Sequence, residues 1–515
     1  MTARHVVGPW LSASAERDPH RIAIDDRGVT VTYGELEERS AALAQRLQQA
    51  GYGPGHLIAS VAVSSADHVV LFFACARLGA ALVPISWRLT PREATGLLET
   101  ARPALLVSDE AFTTLATEAR EAMSAPRPPH AHLGSQGIEA HVPAAAHPRP
   151  AREVRDEDAL LVIFTSGTQA RPRGVVLTHE NCFWTNLALA GAMPLGQEDV
   201  VLSILPQFHV AAWNVQPLLA WWRGATVVIE PTFQPRRVLQ LIAQRRVTAV
   251  MGVPTQYAAL AGHRDWAETD LSSLRTVLVG GASTPAATRE AWAERGAPLV
   301  QGYGLTEAGP NVLSLPAAAG REYAGSVGRP YPHVSVRLTD PASGVEVLGA
   351  GTGELWVSGP GVSPGYLHDP EATAAARDGQ WLRTGDLVRR DATGVYWVVD
   401  RLKDIYISGG ENVAPAEVEH ALELHPLVAR AAVVGVPDAT WGERGVAFVV
   451  PAAGAALTAD EVLAHARDHL AAFKVPARVA VVASLPRGAL DKVARNRLRE
   501  RAVALAGDQQ TGGPA

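Results

Sequence analysis

The sequence predicts an α/β and α+β protein. A large N-terminal part carries α/β sheets and a small antiparallel β unit, and a small α+β segment follows. Three observations lead there. Strand and helix patterns alternate through the first 110 residues and again from 159 to about 300. Between 321 and 399 the pattern changes to short β-like runs separated by Gly and Pro turns. After Asp400 the alternation gives way to a mixed segment that closes the chain. We therefore expect a boundary at Asp400, with domains over 1–400 and 401–515. A chain of 515 residues has room for about three compact units.

The elements follow in order. Residues 33–50 carry Leu36, Leu43 and Leu47 at helical spacing and stop at Gly51. Residues 57–63 read as a buried strand, 67–78 as a helix and 82–85 as the next strand, which predicts parallel pairing. The stretch 125–152 is rich in Pro, Ala and His without a period and reads as a connecting loop. The spacing of His130, His132, His141 and His147 fits no compact metal motif. Strands are expected at 159–164, 200–205, 225–229, 247–250 and 276–279, then at 334–338, 353–357 and 395–399. In the last segment helices are expected at 416–424, with Pro415 at its start, and at 460–471. Strands are expected there at 429–434 and 446–450.

Composition excludes several classes. Acidic residues outnumber basic ones, 52 to 46, against the basic excess of a general nucleic-acid binder. With 47% apolar and 19% charged residues the chain is globular. Cys75 and Cys182 cannot form a disulfide framework, which points to a reducing compartment. The first ten residues lack a signal-peptide pattern, and the apolar run 69–76 ends at Arg77, too short for a bilayer. The expected setting is the cytoplasm, with neither membrane nor nucleic acid as partner. Among the basic residues only Lys403, Lys474 and Lys492 are lysines; the other 43 are arginines. A lysine that survives such a bias is a candidate for a place that needs an ammonium, although for Lys403 no role beats a surface charge.

Five motifs carry chemistry. Residues 163–175 (IFTSGTQARPRGV) run from a buried strand into a Gly- and hydroxyl-rich loop. Backbone N–H groups, Thr165, Ser166 and Thr168, with Arg173 as a fixed charge, suit phosphates, although the Walker spacing is absent. The alternative is a polar turn. Residues 301–307 (QGYGLTE) flank an aromatic ring with glycines, which suits stacking on a base. Thr306 there suits a phosphate oxygen, and Glu307 suits Mg²⁺, an ion that takes one or two carboxylates plus substrate phosphates. In 381–386 (WLRTGD) a carboxylate after a Gly turn suits vicinal ribose hydroxyls. The last two are 400–404 (DRLKD) with 408–412 (SGGEN), and 485–492 (LPRGALDK).

In this order the motifs resemble the adenylate-forming superfamily, with its acyl-CoA synthetases and other AMP-dependent synthetases and ligases, from about Tyr33 to Arg499. The resemblance implies stacked α/β sheets in the N-terminal domain and a mobile C-terminal domain that rotates between two half-reactions. It implies ATP, Mg²⁺ and coenzyme A, and an AMP-forming acyl-CoA synthetase-like ligase. The loop Thr165, Ser166, Gly167, Thr168, Arg173 and Gly174 would grip the β- and γ-phosphates. Gly280, Gly281 and Ala282 would sandwich adenine with Tyr303, within Gln301, Gly302, Tyr303 and Gly304. Thr306 would meet the α-phosphate, Glu307 the metal, and Asp386 and Arg401 the ribose. Asp400 would be the hinge and Lys492 the adenylation lysine. An ammonium on a flexible stem suits that last task better than a rigid guanidinium fork.

Lys474, in Phe473-Lys474-Val475-Pro476, matches a lysine that lies near coenzyme A in relatives. His209 matches a residue beside the reacting carboxylate, the alternative being a structural histidine. Phe208, Trp213, Asn214, Gly280, Gly302, Leu305 and Asn311 are pocket candidates for a small or aromatic acid; core packing is the alternative for Trp213 and Asn214. Trp221, Trp222 and Cys75 read as packing residues. Trp441-Gly442-Glu443 resembles a stretch along the pantetheine channel, and Gly409, Gly410 and Glu411 a loop that enters the site after rotation. The chain departs from the pattern at Gln169-Ala170, usually Thr-Gly, at Arg173, usually Lys, and at Asp491, usually Gly. Three functions stay open: an acid–coenzyme A ligase; an adenylating enzyme that charges a carrier protein or acts as a nitrite-using diazotase; and a nucleotide-binding protein without turnover.

Overall fold

The computed structural model describes residues 5–124, 126–165, 172–281, 284, 286–315, 323–341, 343–402, 406–413, 415–452, 454–486, 493 and 495–507. The chain divides into two compact units. Unit 1 comprises Met1–Trp87, Thr95–Phe164 and Gly174–Asp400; unit 2 comprises Arg88–Ala94, Thr165–Arg173 and Arg401–Ala515.

Among the described residues unit 1 contains three sheets. In the largest, nine-stranded sheet, Ile22–Asp26, Thr226–Ile229, Val200–Ser203, Ala249–Gly252, Thr276–Val279 and Leu299–Tyr303 run parallel in that spatial order. Antiparallel strands close both edges. The second, seven-stranded sheet centres on Leu57–Val61, parallel to Ala81–Pro84 and Leu105–Ser108. The third is antiparallel, with Gly351–Ser358 between Ser335–Thr339 and Trp381–Arg390.

One core joins the two large sheets. The helix Ala66–Leu78 is apolar on every side, so it stays dry only if covered all round. Its Phe72, Phe73 and Cys75 are fully buried in one cluster with Ile58, Leu82 and Leu161 of the second sheet and Ile24, Val201 and Val227 of the first. The helix starts on Ser65, whose hydroxyl accepts from the His68 N–H, and stops at Gly79 with φ +72°. Trp221 is fully buried against Phe73, and Trp222 stacks on Trp10; both tryptophans pack, as expected.

The stretch 125–152 differs from the loop expected. His130–His132 forms a short strand parallel to Leu105–Ser108, and the His130 ring bonds the Ser108 hydroxyl at 2.9 Å. Three residues are too few to show a period, so only the neighbouring strand recruits them. Among the described residues no group of His, Cys, Asp and Glu is placed to hold a metal ion, and no helix is long and apolar enough to cross a membrane.

Unit 2 is built on a long hairpin, Val428–Asp438 against Gly442–Pro451. Arg478–Val481 adds a parallel strand and Tyr406–Ser408 an antiparallel one. The helices Pro415–Glu423 and Ala459–His469 contribute Val418, Leu422, Val462 and Ala466 to its core.

Candidate active site

Several candidate residues of unit 1 gather at strand ends of the nine-stranded sheet, the usual place for ligands in an open α/β sheet. The strand Thr276–Val279 runs into Gly280 and Gly281, and Leu299–Tyr303 carries Gln301, Gly302 and Tyr303. Gly281 has φ +83°, a turn that favours glycine. A Cβ on Gly304 would lie 1.4 Å from the Pro310 carbonyl oxygen, so the chain there can pass only as glycine. On Gly302 a Cβ would meet nothing nearer than 3.8 Å, and on Gly280 it would meet the Met251 methyl at 3.1 Å. Gln301 is buried; its Oε1 accepts from the Thr284 hydroxyl at 2.6 Å.

Two acidic candidates are held by phenols. The Tyr303 hydroxyl donates to Asp386 Oδ2 at 2.6 Å, and the Tyr366 hydroxyl donates to Glu307 Oε1 at 2.9 Å. Asp386 follows Gly385, whose φ is +71° and whose N–H donates to the buried Glu354 at 3.1 Å. The Asp386 N–H donates to the Thr384 hydroxyl, which in turn donates to the Leu355 carbonyl. Thr306 and Glu307 lie on the short turn Thr306–Ala308, and the Glu307 carbonyl accepts from the Ser363 N–H at 2.9 Å.

The loop that carries Phe208 and His209 is fastened from behind. Gln207 is buried and its Oε1 bonds His68 at 2.8 Å, while the other ring nitrogen of His68 bonds Ser60 at 2.9 Å. Burial pushes the His68 imidazole down to about 4, with the Gln207 bond opposing, so the ring is neutral. Phe208 packs beside the His209 ring at 4.7 Å and edge-on to Trp87 at 6.3 Å.

Other pocket candidates have different roles. Trp213 is fully buried, stacks on Phe72 at 4.5 Å and donates to the Gln207 carbonyl at 2.7 Å. Asn214 is fully buried too: its amide donates to the Gly309 carbonyl at 2.8 Å, and its Oδ1 accepts from Asn186 at 3.2 Å. Both side chains are therefore held by packing and hydrogen bonds within unit 1. Asn311 donates to the Asn214 carbonyl at 3.0 Å and lines a small cavity with Trp184, Thr185 and Ala308. Leu305 packs against the core of the antiparallel sheet.

In unit 2, Lys474 sits in an ion-pair cluster. Its ammonium is buried and bonds Glu417 at 2.6 Å and Glu93 at 3.2 Å. Burial lowers its proton affinity, but the two carboxylates reverse that, so the group stays charged above the ordinary lysine range. The ammonium is thus enclosed between two carboxylates. Glu411 pairs with Arg88 at 3.1 Å. Gly409, with φ +59°, packs under Trp441, where a Cβ would come within 2.6 Å of the indole.

Ser166, Gly167, Thr168, Ala282, Lys403, Asp491 and Lys492 lie outside the described residues. Thr165 ends the strand Ala159–Thr165 and Arg173 begins Arg173–Thr178. Asp400 and Arg401 end the strand Tyr396–Arg401.

The sequence reading assigned no role to Tyr366, Glu354, Glu93 or Glu417. A signal existed for the first: Gly365-Tyr366 repeats the Gly302-Tyr303 pair of the nucleotide motif. Nothing marked the carboxylates, because an isolated acidic residue on a helix, as Glu93 and Glu417, or on a strand, as Glu354, reads as solvated surface.

Comparison with known proteins agrees with this architecture. The AMP-binding enzyme family matches residues 11–367, and the AMP-binding enzyme C-terminal domain matches 417–492. A feruloyl-CoA synthase of Amycolatopsis sp is 40% identical over 497 residues, covering 96% of this chain and 99% of that protein. An indoleacetate–CoA ligase of Aromatoleum aromaticum is 34% identical, covering 95% and 97%. The solved structure of an amide bond synthetase of Marinactinospora thermotolerans is 34% identical with a TM-score of 0.86, covering 95% and 99%. The chain belongs to the AMP-binding enzyme family and is an AMP-forming, acyl-CoA synthetase-like ligase of the adenylate-forming superfamily.

Proposed function

We propose that the chain joins an aromatic carboxylic acid to coenzyme A through an acyl-adenylate. The observation that carries the reading is the strand end at Gly302, where a Cβ would meet nothing nearer than 3.8 Å, next to Tyr303, whose hydroxyl is bonded to Asp386. The 40% identity to a feruloyl-CoA synthase and 34% to an indoleacetate–CoA ligase supply the substrate class, aryl-substituted acids.

In the first half-reaction a carboxylate oxygen bonds to the α-phosphorus of ATP while the bond to the β-phosphate bridge breaks, and pyrophosphate leaves. In the second, the thiol sulfur bonds to the acyl carbon, the bond to AMP breaks, and the thiol proton passes to solvent. Tyr303 and Gly280–Gly281 take the purine, Asp386 and Arg401 the ribose, and Thr165, Ser166, Thr168 and Arg173 the outer phosphates. Thr306 meets the α-phosphate, and His209 orients the acid. Lys492 brings an ammonium to the oxygens on which charge builds, where a preorganised donor does most. Asp400 is the hinge between the two half-reactions. Glu307 suits Mg²⁺, which takes one protein carboxylate when nucleotide phosphates supply other ligands. Bound there, the ion would neutralise phosphate charge.

The test is pyrophosphate release with a panel of hydroxycinnamic, indolic and benzoic acids, with and without coenzyme A. Acid-dependent release with an acyl-CoA product is the expected result. Release that yields only an amide with an added amine, or that needs nitrite and an aryl amine, moves the enzyme to another acceptor. AMP binding without release in any mixture refutes turnover.

A further inference from the structure

The Tyr366 hydroxyl donates to Glu307 Oε1 at 2.9 Å, and the surroundings of that bond have a purpose. Tyr366 lies on the two-residue strand Gly365–Tyr366, which pairs antiparallel with Val175 and Val176. Those residues continue directly from Arg173 and Gly174 of the phosphate-loop motif, and the Leu367 N–H donates to the Gly174 carbonyl at 2.7 Å. One side chain thus ties Glu307 to the strand that emerges from that motif.

The tie is rigid. The Tyr366 N–H donates to the Thr373 hydroxyl at 2.9 Å. Gly365 has φ +150°, and a Cβ there would come within 2.4 Å of the Thr373 methyl. The Ser363 hydroxyl donates to the Gly365 carbonyl at 3.0 Å, and the Ser363 N–H holds the Glu307 carbonyl at 2.9 Å. Backbone and side chain of Glu307 are therefore both fastened to the segment 363–366.

The chemistry of the donor matters. A guanidinium or ammonium in this place would cancel the carboxylate charge and compete with a cation. A phenol fixes the rotamer of the carboxylate and adds no charge. We propose that Tyr366 is a positioning residue, whose hydroxyl orients Glu307 toward the divalent ion that accompanies ATP. Partners that orient metal ligands typically change metal affinity by about 10–100-fold when lost.

This inference rests on the adenylation reading of Glu307, so the experiment separates the two. ATP binding is measured by calorimetry without acid substrate, once with Mn²⁺ and once with EDTA, and the ratio of the two affinities is the readout. Tyr366→Phe keeps the ring and its packing. It is expected to reduce the ratio about tenfold, the lower end for an orienting partner, with metal-free ATP binding and the thermal midpoint unchanged. Glu307→Gln is expected to abolish the ratio. If Glu307→Gln weakens Mn²⁺ coupling and Tyr366→Phe leaves it intact, the positioning role is wrong and the adenylation reading survives. If Glu307→Gln itself changes nothing, the metal assignment falls, and this inference with it. A metal-free affinity that drops in Tyr366→Phe as much as the Mn²⁺ affinity makes the hydroxyl merely structural and overturns the proposal.

Discussion

Two regions of the molecule hold charged groups by opposite means. In unit 2 the Lys474 ammonium is buried between two carboxylates, Glu93 and Glu417, so positive charge is met by negative. In unit 1, Asp386 and Glu307 each accept a bond from a neutral tyrosine hydroxyl. The first arrangement consumes the charge. The second fixes the geometry of a carboxylate with a donor that is itself uncharged. The difference teaches that the groups around a charged residue in a motif, and not the motif, decide how it is held. The same contrast divides two of the rare lysines, Lys474 enclosed and Lys492 assigned to the reacting phosphate.

The sharpest break of this comparison is Lys474→Met. It leaves Glu93 and Glu417 buried with no cation between them, and losing one partner of a buried charge group costs about 3–5 kcal/mol. Denaturant unfolding is expected to show a loss of that size. Lys474→Arg should not fully rescue it, because a planar fork does not fill the place of a compact ammonium. A stability within experimental scatter of the parent would mean that the triad is a surface pair after all.

Lys492→Ala comes next. If that ammonium is offered and not consumed, its loss should slow adenylation by roughly 10²–10³-fold, the scale for one preorganised donor. Thioester formation from a supplied adenylate should suffer far less. Equal loss in both half-reactions would put Lys492 in the same structural class as Lys474.

A third means of keeping a polar group inside is to keep it neutral. Burial pushes both His68 and His179 down to about 4, against about 6.5 in an unfolded chain. Between those values the unfolded state binds more protons, so stability falls as pH drops from 6.5 toward 4. The slope is up to about 1.4 kcal/mol per pH unit for each histidine. Unfolding at pH 7.0 and 5.0 measures it. A slope that stays the same in His68→Gln would show that this imidazole is not the group responsible.

The smallest expected effect is that of Tyr303→Phe, which keeps the ring for stacking and removes the donor to Asp386. AMP affinity should fall roughly tenfold, the scale of one hydrogen bond to a charged group. If affinity is unchanged, the turn at Thr384 and Gly385, anchored on Leu355 and Glu354, is sufficient to hold Asp386 without the phenol.

Much of the architecture and the nucleotide motifs could be read from the chain alone. Alternating apolar runs and helical spacing are local, so seven strands of the two large sheets, from Leu57–Val61 to Thr276–Val279, and the helix Ala66–Leu78 could be anticipated, whereas Ile22–Asp26, Leu105–Ser108 and Leu299–Tyr303 were not. Glycine motifs were legible for a similar reason: a turn that favours positive φ, as at Gly281 and Gly385, or a close approach, as at Gly304, constrains residue type in place. The His130–His132 strand was not legible, since three residues in a Pro- and His-rich stretch show no period.

What only the tertiary structure decided is pairing across distance. Tyr303 and Asp386 are 83 residues apart, Tyr366 and Glu307 are 59 apart, and Lys474 and Glu93 are 381 apart. The complete burial of Trp213 and Asn214 is likewise a product of the folded chain. Local sequence determines backbone geometry because sterics and hydrophobic period act between neighbours. The fate of a charge depends on dielectric and partners, and those are supplied by segments that meet only when the chain has folded.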